Sequence, residues 1–309
     1  MPTLKEIVIK ETLKQPEQVD NLTEETPILS MLDFRKATHT MSNNFEKLKA
    51  VTGGSFVDLD APLGLVSSST ELDTTKLIKM GGRMIVGKDK AAQYGGATQY
   101  FNDQMPAVLS KTGMAVEYDI LYNNFRKVAI ANSRVTDAGG TTNAYSIIAV
   151  RFKPGENNGL YPNNAFPSGY LLKPTPLQGG SLHNIGNNNY PGSGYTNGTM
   201  GYAMDLESYF GWQIANVETV WAIVNVKEGK IPTAKQIDTA LRKIRKSSNT
   251  YLFMHPEVKA LLVDAYRDYI LPAEVSVNNI NRQLNSWDGT PIMESYNFLD
   301  GTESKVTVS

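Results

Sequence analysis

DQMPAVLSKTGMAVEYDILYNNFRKVAIAN, residues 103–132, is the stretch whose reading decides the fold. Met114, Tyr118, Leu121, Phe125 and Val128 recur at spacings of 4, 3, 4 and 3, with Val108, Leu109, Val116 and Ile120 in a second stripe beside them. That periodicity predicts one long helix, Asp103 to Asn132, with a wide apolar face of the kind that packs on a sheet. Asp103 is the expected N-cap, and Pro106 falls in the first turn, where its missing N–H costs nothing. No proline follows until Pro154. At 1.5 Å per residue such a helix spans roughly 43 Å. Gly113 weakens its middle modestly.

The 309 residues can bury a sizeable core, since 41% are hydrophobic. A net charge of −1 excludes a globally basic nucleic-acid binder, though not a local patch. With no cysteine, the chain has no disulfide, no Cys-ligated metal and no thiol nucleophile. The opening MPTLKEIVIKETLKQ lacks the apolar core of a signal peptide, and no run approaches the ~20 apolar residues of a membrane span. A soluble intracellular protein is expected, with no membrane association.

Upstream of the helix, residues 1–35 read as an arm. Leu4, Ile7 and Val8 would line a short amphipathic helix, and Gln15 to Glu25 is polar. Thr26-Pro27 is an expected N-cap and first helical position for Ile28, Leu29, Met31 and Leu32, an apolar group that must dock elsewhere. Residues 36–89 are rich in Thr, Ser, Gly and Asp. Strand pieces are expected at Ser55 to Leu59, Leu63 to Ser67 and Lys76 to Val86, with Gly81-Gly82 as a turn or bulge. The whole reads as an extended two-stranded loop, marginal by itself and needing a neighbouring molecule. Asp58 and Asp60 lack the glycine and glutamate of an EF-hand, so no metal site is assigned.

Downstream, Ala138-Gly139-Gly140 breaks the chain and AYSIIAVRF (144–152) is a buried strand. Residues 153–201 are rich in Gly, Asn and Pro, with GNNNYPGSGYTNG at 186–198 as the extreme. Interleaved Asn and Tyr can hydrogen-bond and stack on sugars, which gives an alternative function: a carbohydrate-binding or adhesion module acting through residues 184–202, with Tyr190, Tyr195 and Tyr202. The commoner use of such residues is a surface loop that takes Gly and Asn for positive φ. VWAIVNV (220–226) is a second buried strand. Thr233 and Gln236 form a capping box, ahead of Ile237, Ala240, Leu241 and Ile244 on one helix face. The basic end, Arg242-Lys243 and Arg245-Lys246, suits the C-terminal pole of that helix. Tyr251 to Met254 is a short strand. Pro256 opens a helix with Val258, Leu261, Leu262, Ala265 and Tyr269 inward. Trp287-Asp288-Gly289 turns the chain into a last strand, Thr290 to Glu294.

No catalytic constellation is present. His39, His183 and His255 are scattered, none in HExxH, and there is no GxSxG, Walker A or GxGxxG. His255 reads as a helix-start residue. No catalytic, cofactor-binding or metal-ligating residue is assigned, no cofactor is expected, and the chain is not expected to be an enzyme.

Five local stretches, in order, carry a family resemblance. TPILSMLDF (26–34) resembles a hydrophobic pair followed by an LPF-type segment. NAYSIIAVRFKPGENNGLYP (143–162) and YFGWQIANVETVWAIVNV (209–226) resemble a strand-and-turn and an aromatic-glycine strand pair. YLFMHPEVKALL (251–262) resembles a strand, an M-N-P-type turn and a helix, with His255 where Asn is usual. WDGTPIMESYNF (287–298) resembles a closing G-x-P-I strand. Together they are similar to the major capsid proteins of tailed bacteriophages, which have the Hong Kong 97-like fold.

The resemblance implies an α+β chain. Residues 1–35 would be the N-terminal arm, 36–89 the extended loop or E-loop, and 90–132 a peripheral domain built on Asp103 to Asn132 as spine helix. Residues 133–285 would be an axial domain, a sheet flanked by helices at 233–246 and 256–270, with 155–201 as an insertion. Residues 286–309 would return a closing strand to the peripheral domain. The implied function is a head protein assembling as pentamers and hexamers into an icosahedral shell around double-stranded DNA. It would be assembled in the bacterial host cytoplasm with a separate scaffolding protein and a portal, and end in the virion. A shell protein that gathers its genome by charge needs a basic arm. Residues 1–35 are not basic.

Overall fold

The computed structural model describes residues 26–29, 32, 34–59, 62–162, 173–277 and 280–308. The readings placed on Leu4, Ile7, Val8, Gln15 to Glu25, Met31 and Asp60 lie outside them.

In chain order the strands and helices begin with β1 (Phe34–Lys36), β2 (Ser42–Thr52), β3 (Ser67–Lys76), β4 (Ile78–Gly87) and α1 (Lys88–Gln93). The long helix follows: α2 (Ala97–Asp119), a π-helical turn (Ile120–Arg126) and α3 (Lys127–Ala131). Then come β5 (Val135–Asp137), β6 (Tyr145–Arg151), β7 (Asn157–Tyr161), β8 (Lys173–Pro176), β9 (His183–Asn184), β10 (Met200–Ile214) and β11 (Val220–Val226). The chain closes with α4 (Ala234–Lys243), β12 (Thr250–Met254), α5 (Pro256–Ala265), β13 (Ile270–Val277), β14 (Ile280–Trp287) and β15 (Thr290–Glu294).

A seven-stranded sheet in the order β13-β14-β15-β12-β6-β11-β5 lies at the centre. Its inner strands are buried on both faces, which is why β6 reads as an unbroken apolar run rather than an alternation. Ile148 and Val150 of β6, with Val220, Ala222, Val224 and Phe253, face Val116, Ile120, Leu121, Phe125 and Ala129 of the long helix. Ile147 and Ala149 face the other way, onto Ile237, Ala240, Leu241 and Ile244 of α4 and Val258 and Leu262 of α5. The layers are therefore helix, sheet and helix pair. The capping box at α4 is formed, with Thr233 accepting from Gln236 N. His255 is the N-cap of α5 and accepts from Glu257 N at 3.2 Å.

The helix begins seven residues earlier than its sequence suggests. Gly96, at φ 129, is the N-cap, while Asp103 sits inside and accepts from Gln99 at 2.8 Å. Pro106 is thus interior and blocks one helical hydrogen bond, a cost of about 3 kcal/mol. The extra turns are secured by Phe101 and Met105, which pack on Val86, Ala91, Met204 and Leu206. The helix widens at Ile120–Arg126, so Ile120, Leu121, Tyr122 and Phe125 are all buried. Three consecutive residues on a regular α-helix spread over about 200° and do not share one face. Tyr118, expected in the apolar stripe, is exposed.

A second sheet runs β1-β7-β10-β4, with β8 and β9 also on β10. Residues 155–201, expected as an insertion on the axial domain, supply β7, β8 and β9 to this sheet. Gly81 and Gly82 are neither turn nor bulge, since β4 pairs with β10 in unbroken register from Ile78 to Gly87. Glycine is needed at 81 because a Cβ there would lie 2.2 Å from the Leu206 carbonyl oxygen.

The two-stranded loop exists, but its strands are β2 and β3. The apolar pieces Ser55 to Leu59 and Leu63 to Ser67 fall in the connection between them. β3 is polar apart from Leu72 and almost wholly exposed, so hydrophobic alternation could not locate it. Downstream, α5 ends at Ala265, not near residue 270, and a β13–β14 hairpin follows. The closing strand β15 pairs with β12 and β14 in the central sheet rather than leaving it.

The segment that does return to the long helix is the tail after β15. Glu117, fully buried, gathers it together with the arm. Its Oε2 accepts from Ile28 N and Leu29 N at 3.1 Å each, and its Oε1 accepts from Asn297 Nδ2 at 3.0 Å and from Ser295 Oγ. Ile28, Leu29, Leu32 and Phe34 are buried beside it. Further along the helix, Glu303 accepts from Tyr122 at 2.6 Å and Ser146 at 2.5 Å and pairs with Arg126 at 3.2 Å. Burial raises the Glu117 carboxyl above its ordinary 4.5, opposed by the hydrogen bonds from Ser295, Asn297, Leu29 and Ile28. A raised folded-state value means that its stabilising contribution is complete below the unfolded value and is lost as pH rises through the folded one. Urea unfolding of the unassembled chain should therefore show a loss of stability above about pH 4.5 that is absent in Glu117→Gln. Glu117→Ala, which strands several buried donors, should cost roughly 2–5 kcal/mol.

Candidate assembly surface

β3 passes into β4 with only Leu77 between them. β2 and β3 therefore project from the second sheet as a two-stranded ribbon, and β3 is exposed on both faces. At its end, the connection of residues 53–66 carries Phe56, Val57, Leu59, Leu63, Leu65 and Val66, all exposed. Phe56, Leu59 and Leu65 are 90% accessible or more, so they touch almost nothing in their own chain. A cluster of large apolar side chains on a polar ribbon is a contact surface without its partner.

The groups considered for other chemistry are engaged within the chain. Tyr190 has its hydroxyl 2.8 Å from His183 Nε2, and the Arg83 guanidinium lies 4.8 Å over its ring. Arg83 is in turn bidentate to Asp205, at 2.5 and 2.8 Å, and this ion pair holds the Asp205 carboxyl below its ordinary range. Tyr195 accepts from Gly87 N at 3.1 Å, and Tyr202 packs on the Met204–Phe101 cluster. Tyr190 and Tyr195 thus support the 177–198 segment on β4, Tyr202 packs from β10 itself, and nothing favours the glycan reading. Gly192, Gly194 and Gly198 supply its positive φ angles.

His39 lies beside Thr38 Oγ1 at 3.0 Å, His183 beside Tyr190, and His255 is buried between Tyr145 and Tyr296. The Tyr145 hydroxyl donates to Asp300 at 2.9 Å. Burial, and then that carboxylate, push its pKa up to about 12, so it is no base at neutral pH. Among the described residues no three His, Cys, Asp or Glu side chains are placed to share a metal ion. No described helix is long and apolar enough to cross a membrane. At the basic end of α4, Arg245 pairs with Glu218, Lys246 pairs with Asp288, and the Lys243 carbonyl accepts from Arg134 at 2.9 Å, which fits capping and solvation.

Sequence reading found the ribbon and the apolar pieces at its tip, though it took those pieces for strands. It missed Glu117 and Glu303. The available signal was a lone carboxylate at position 117, flanked by Val116 and Ile120 on the apolar arc of the helix.

No family model and no curated protein matches this sequence. Solved structures do match. A chain of the bacteriophage epsilon15 structure aligns over 85% of this chain and 84% of its own length, with TM-score 0.54 and 12% identity. A chain of the bacteriophage JBD30 capsid aligns over 93% and 94%, with TM-score 0.49 and 9% identity. The chain has an α+β fold shared with the epsilon15 structure, the Hong Kong 97-like fold implied by the sequence resemblance.

Because the tip side chains are unsupported in the single chain, exchanging them should leave the fold intact. Phe56→Ser, Leu63→Ser and Leu65→Ser combined should change the unfolding free energy by less than about 0.5 kcal/mol per site. The same variant should sediment with less self-association than the parent.

Proposed function

We propose that this chain is the major capsid protein of a tailed bacteriophage, assembling as pentamers and hexamers into an icosahedral shell around double-stranded DNA. The observation that carries the reading is the exposed apolar tip of the β2–β3 ribbon on a chain with this fold. The partner for that tip is a second copy. Residues 1–35 act as the arm and 36–89 as the extended loop, with β4 as the strand that anchors it. The long helix is the spine of the peripheral domain, and the seven-stranded sheet with α4 and α5 forms the axial domain. The chain works as a structural protein rather than an enzyme. A separate scaffolding protein and a portal are its partners in the bacterial cytoplasm, and the virion is its destination. The DNA is enclosed without sequence-specific contacts, in keeping with the near-neutral charge.

Magnitudes favour assembly by many weak contacts. Fully burying a large apolar side chain is worth about 1.5–3 kcal/mol, so the six at the tip offer roughly 9–18 kcal/mol gross. Association costs about 4–15 kcal/mol in lost freedom before any ordering of the loop. One tip contact is therefore reversible alone, and stability comes from closing rings in which every copy both gives and receives a loop.

Sedimentation velocity of the purified chain, alone and co-expressed with its neighbouring genes, with micrographs of the heaviest fraction, tests this. Rings or megadalton shells are expected. Replacing residues 53–66 by a short Gly-Ser turn should leave a folded chain that makes none. A monomer under every condition, or normal shells from the shortened variant, would refute the reading.

A further inference from the structure

The ribbon meets the second sheet at a junction that few restraints cross. Among the described residues β2 pairs only with β3 and β4 only with β10, so no strand ladder there spans Leu77. Beneath the junction lies a thin apolar cluster, Ala37, Leu77 and Leu160 with Tyr209 against it. Apolar contact is non-directional, and so small a cluster can slide. Besides the backbone bond from Ala37 N to the Tyr161 carbonyl at 2.9 Å, a relay of two buried side-chain amides crosses with direction. Thr38 N donates to Asn43 Oδ1 at 2.9 Å, Asn43 Nδ2 donates to Gln213 Oε1 at 2.5 Å, and Gln213 Nε2 donates to the Gly155 carbonyl at 2.7 Å. Asn43 belongs to β2, Gln213 to β10, and Gly155 to the turn before β7. Asn43 is 8% exposed and Gln213 2%. Each amide fixes the orientation of the next, because flipping either would set two donors or two acceptors face to face.

We propose that Asn43 and Gln213 are the positioning residues that set the angle of the β2–β3 ribbon on its sheet. That angle in turn sets the curvature at which one copy reaches the next, a consequence that rests on the shell reading. The relay is uncharged, so the angle is insensitive to pH and salt. It is also strong enough to matter: leaving one of these buried polar groups unmatched costs about as much as burying one tip side chain gains.

Hydrogen exchange on the unassembled full chain reads the pin directly. Leu77 N, bonded to Met41 O at 3.0 Å, reports the junction. In Asn43→Leu its exchange should quicken roughly tenfold, the worth of about one buried hydrogen bond, while amides of β6 and β11 keep their protection. Asn43→Leu with Gln213→Leu replaces the relay by an apolar pair and guards against misfolding of the single variant. It should melt like the parent, yet keep the fast junction and assemble into particles of mixed curvature, seen in micrographs as open sheets or a spread of diameters. Parental exchange at Leu77 in the double variant would show that packing alone sets the angle and would overturn the proposal. So would uniform shells of parental diameter. The exchange measurement needs no assembly, so a failure of the wild-type chain to form shells would count against the capsid reading and leave the pin standing.

Discussion

The buried carboxylate of Glu117 is the constraint on which much of the molecule depends. It sits on the long helix and is held by donors from two distant segments, 88–89 residues before it and 178–180 after it. A desolvated carboxylate is costly unless its oxygens are filled. The arm at Ile28 and Leu29 and the tail at Ser295 and Asn297 fill them together, so each segment supports the docking of the other. Glu303 repeats the device in reverse, carrying its carboxylate from the tail to Tyr122 and Arg126 in the helix. The widened turn at Ile120–Arg126 contains both of these residues and also turns Ile120, Leu121 and Phe125 into the core. One irregular turn thus serves the polar clasp and the apolar packing at once.

Burial explains what was legible in the sequence. Strands β6, β11 and β12 and the faces of α4 and α5 showed as apolar runs or stripes because they are enclosed by the sheet–helix layers. The Thr233 capping box and the Asp288-Gly289 turn, with φ 44 and 71, showed because local backbone chemistry dictates them. Strands β2, β3 and β7 did not show. Asn157 and Asn158 of β7 are buried in spite of their polarity, and Asn157 accepts from Trp212 Nε1 at 2.8 Å, a partner that only the fold provides. The helix start was misplaced for the same reason: Asp103-Pro106 is a good local signal, overridden by the tertiary packing of Phe101 and Met105. The tip of the assembly surface was legible as apolar residues but not as a loop, since exposure is not written in any one segment.

The ribbon's polarity is also a design constraint. In the proposed shell, a chain that pairs with copies of itself must not do so at every edge. β3 carries Ser, Thr, Asp, Glu and Lys, with Leu72 as its one apolar side chain, so the ribbon tolerates water on both faces, and the most exposed apolar side chains are gathered in residues 53–66. β4 has no strand partner on its outer edge among the described residues. It carries Lys79 and Arg83, each tied to an acid on β10, and at its end the Tyr195 hydroxyl takes up the Gly87 N–H.

These features divide labour between affinity and geometry. The tip supplies apolar area, which gives free energy without direction. The Arg83–Asp205–Tyr190 group and the amide relay supply direction with little net free energy, since their parts would be hydrogen-bonded to water if released. In the proposed shell both would be needed, and on separate residues, because a contact strong enough to fix its own angle would not dissociate when formed wrongly. Weak apolar contact at the end of a stiffly mounted ribbon allows incorrect pairings to come apart while correct ones accumulate through ring closure.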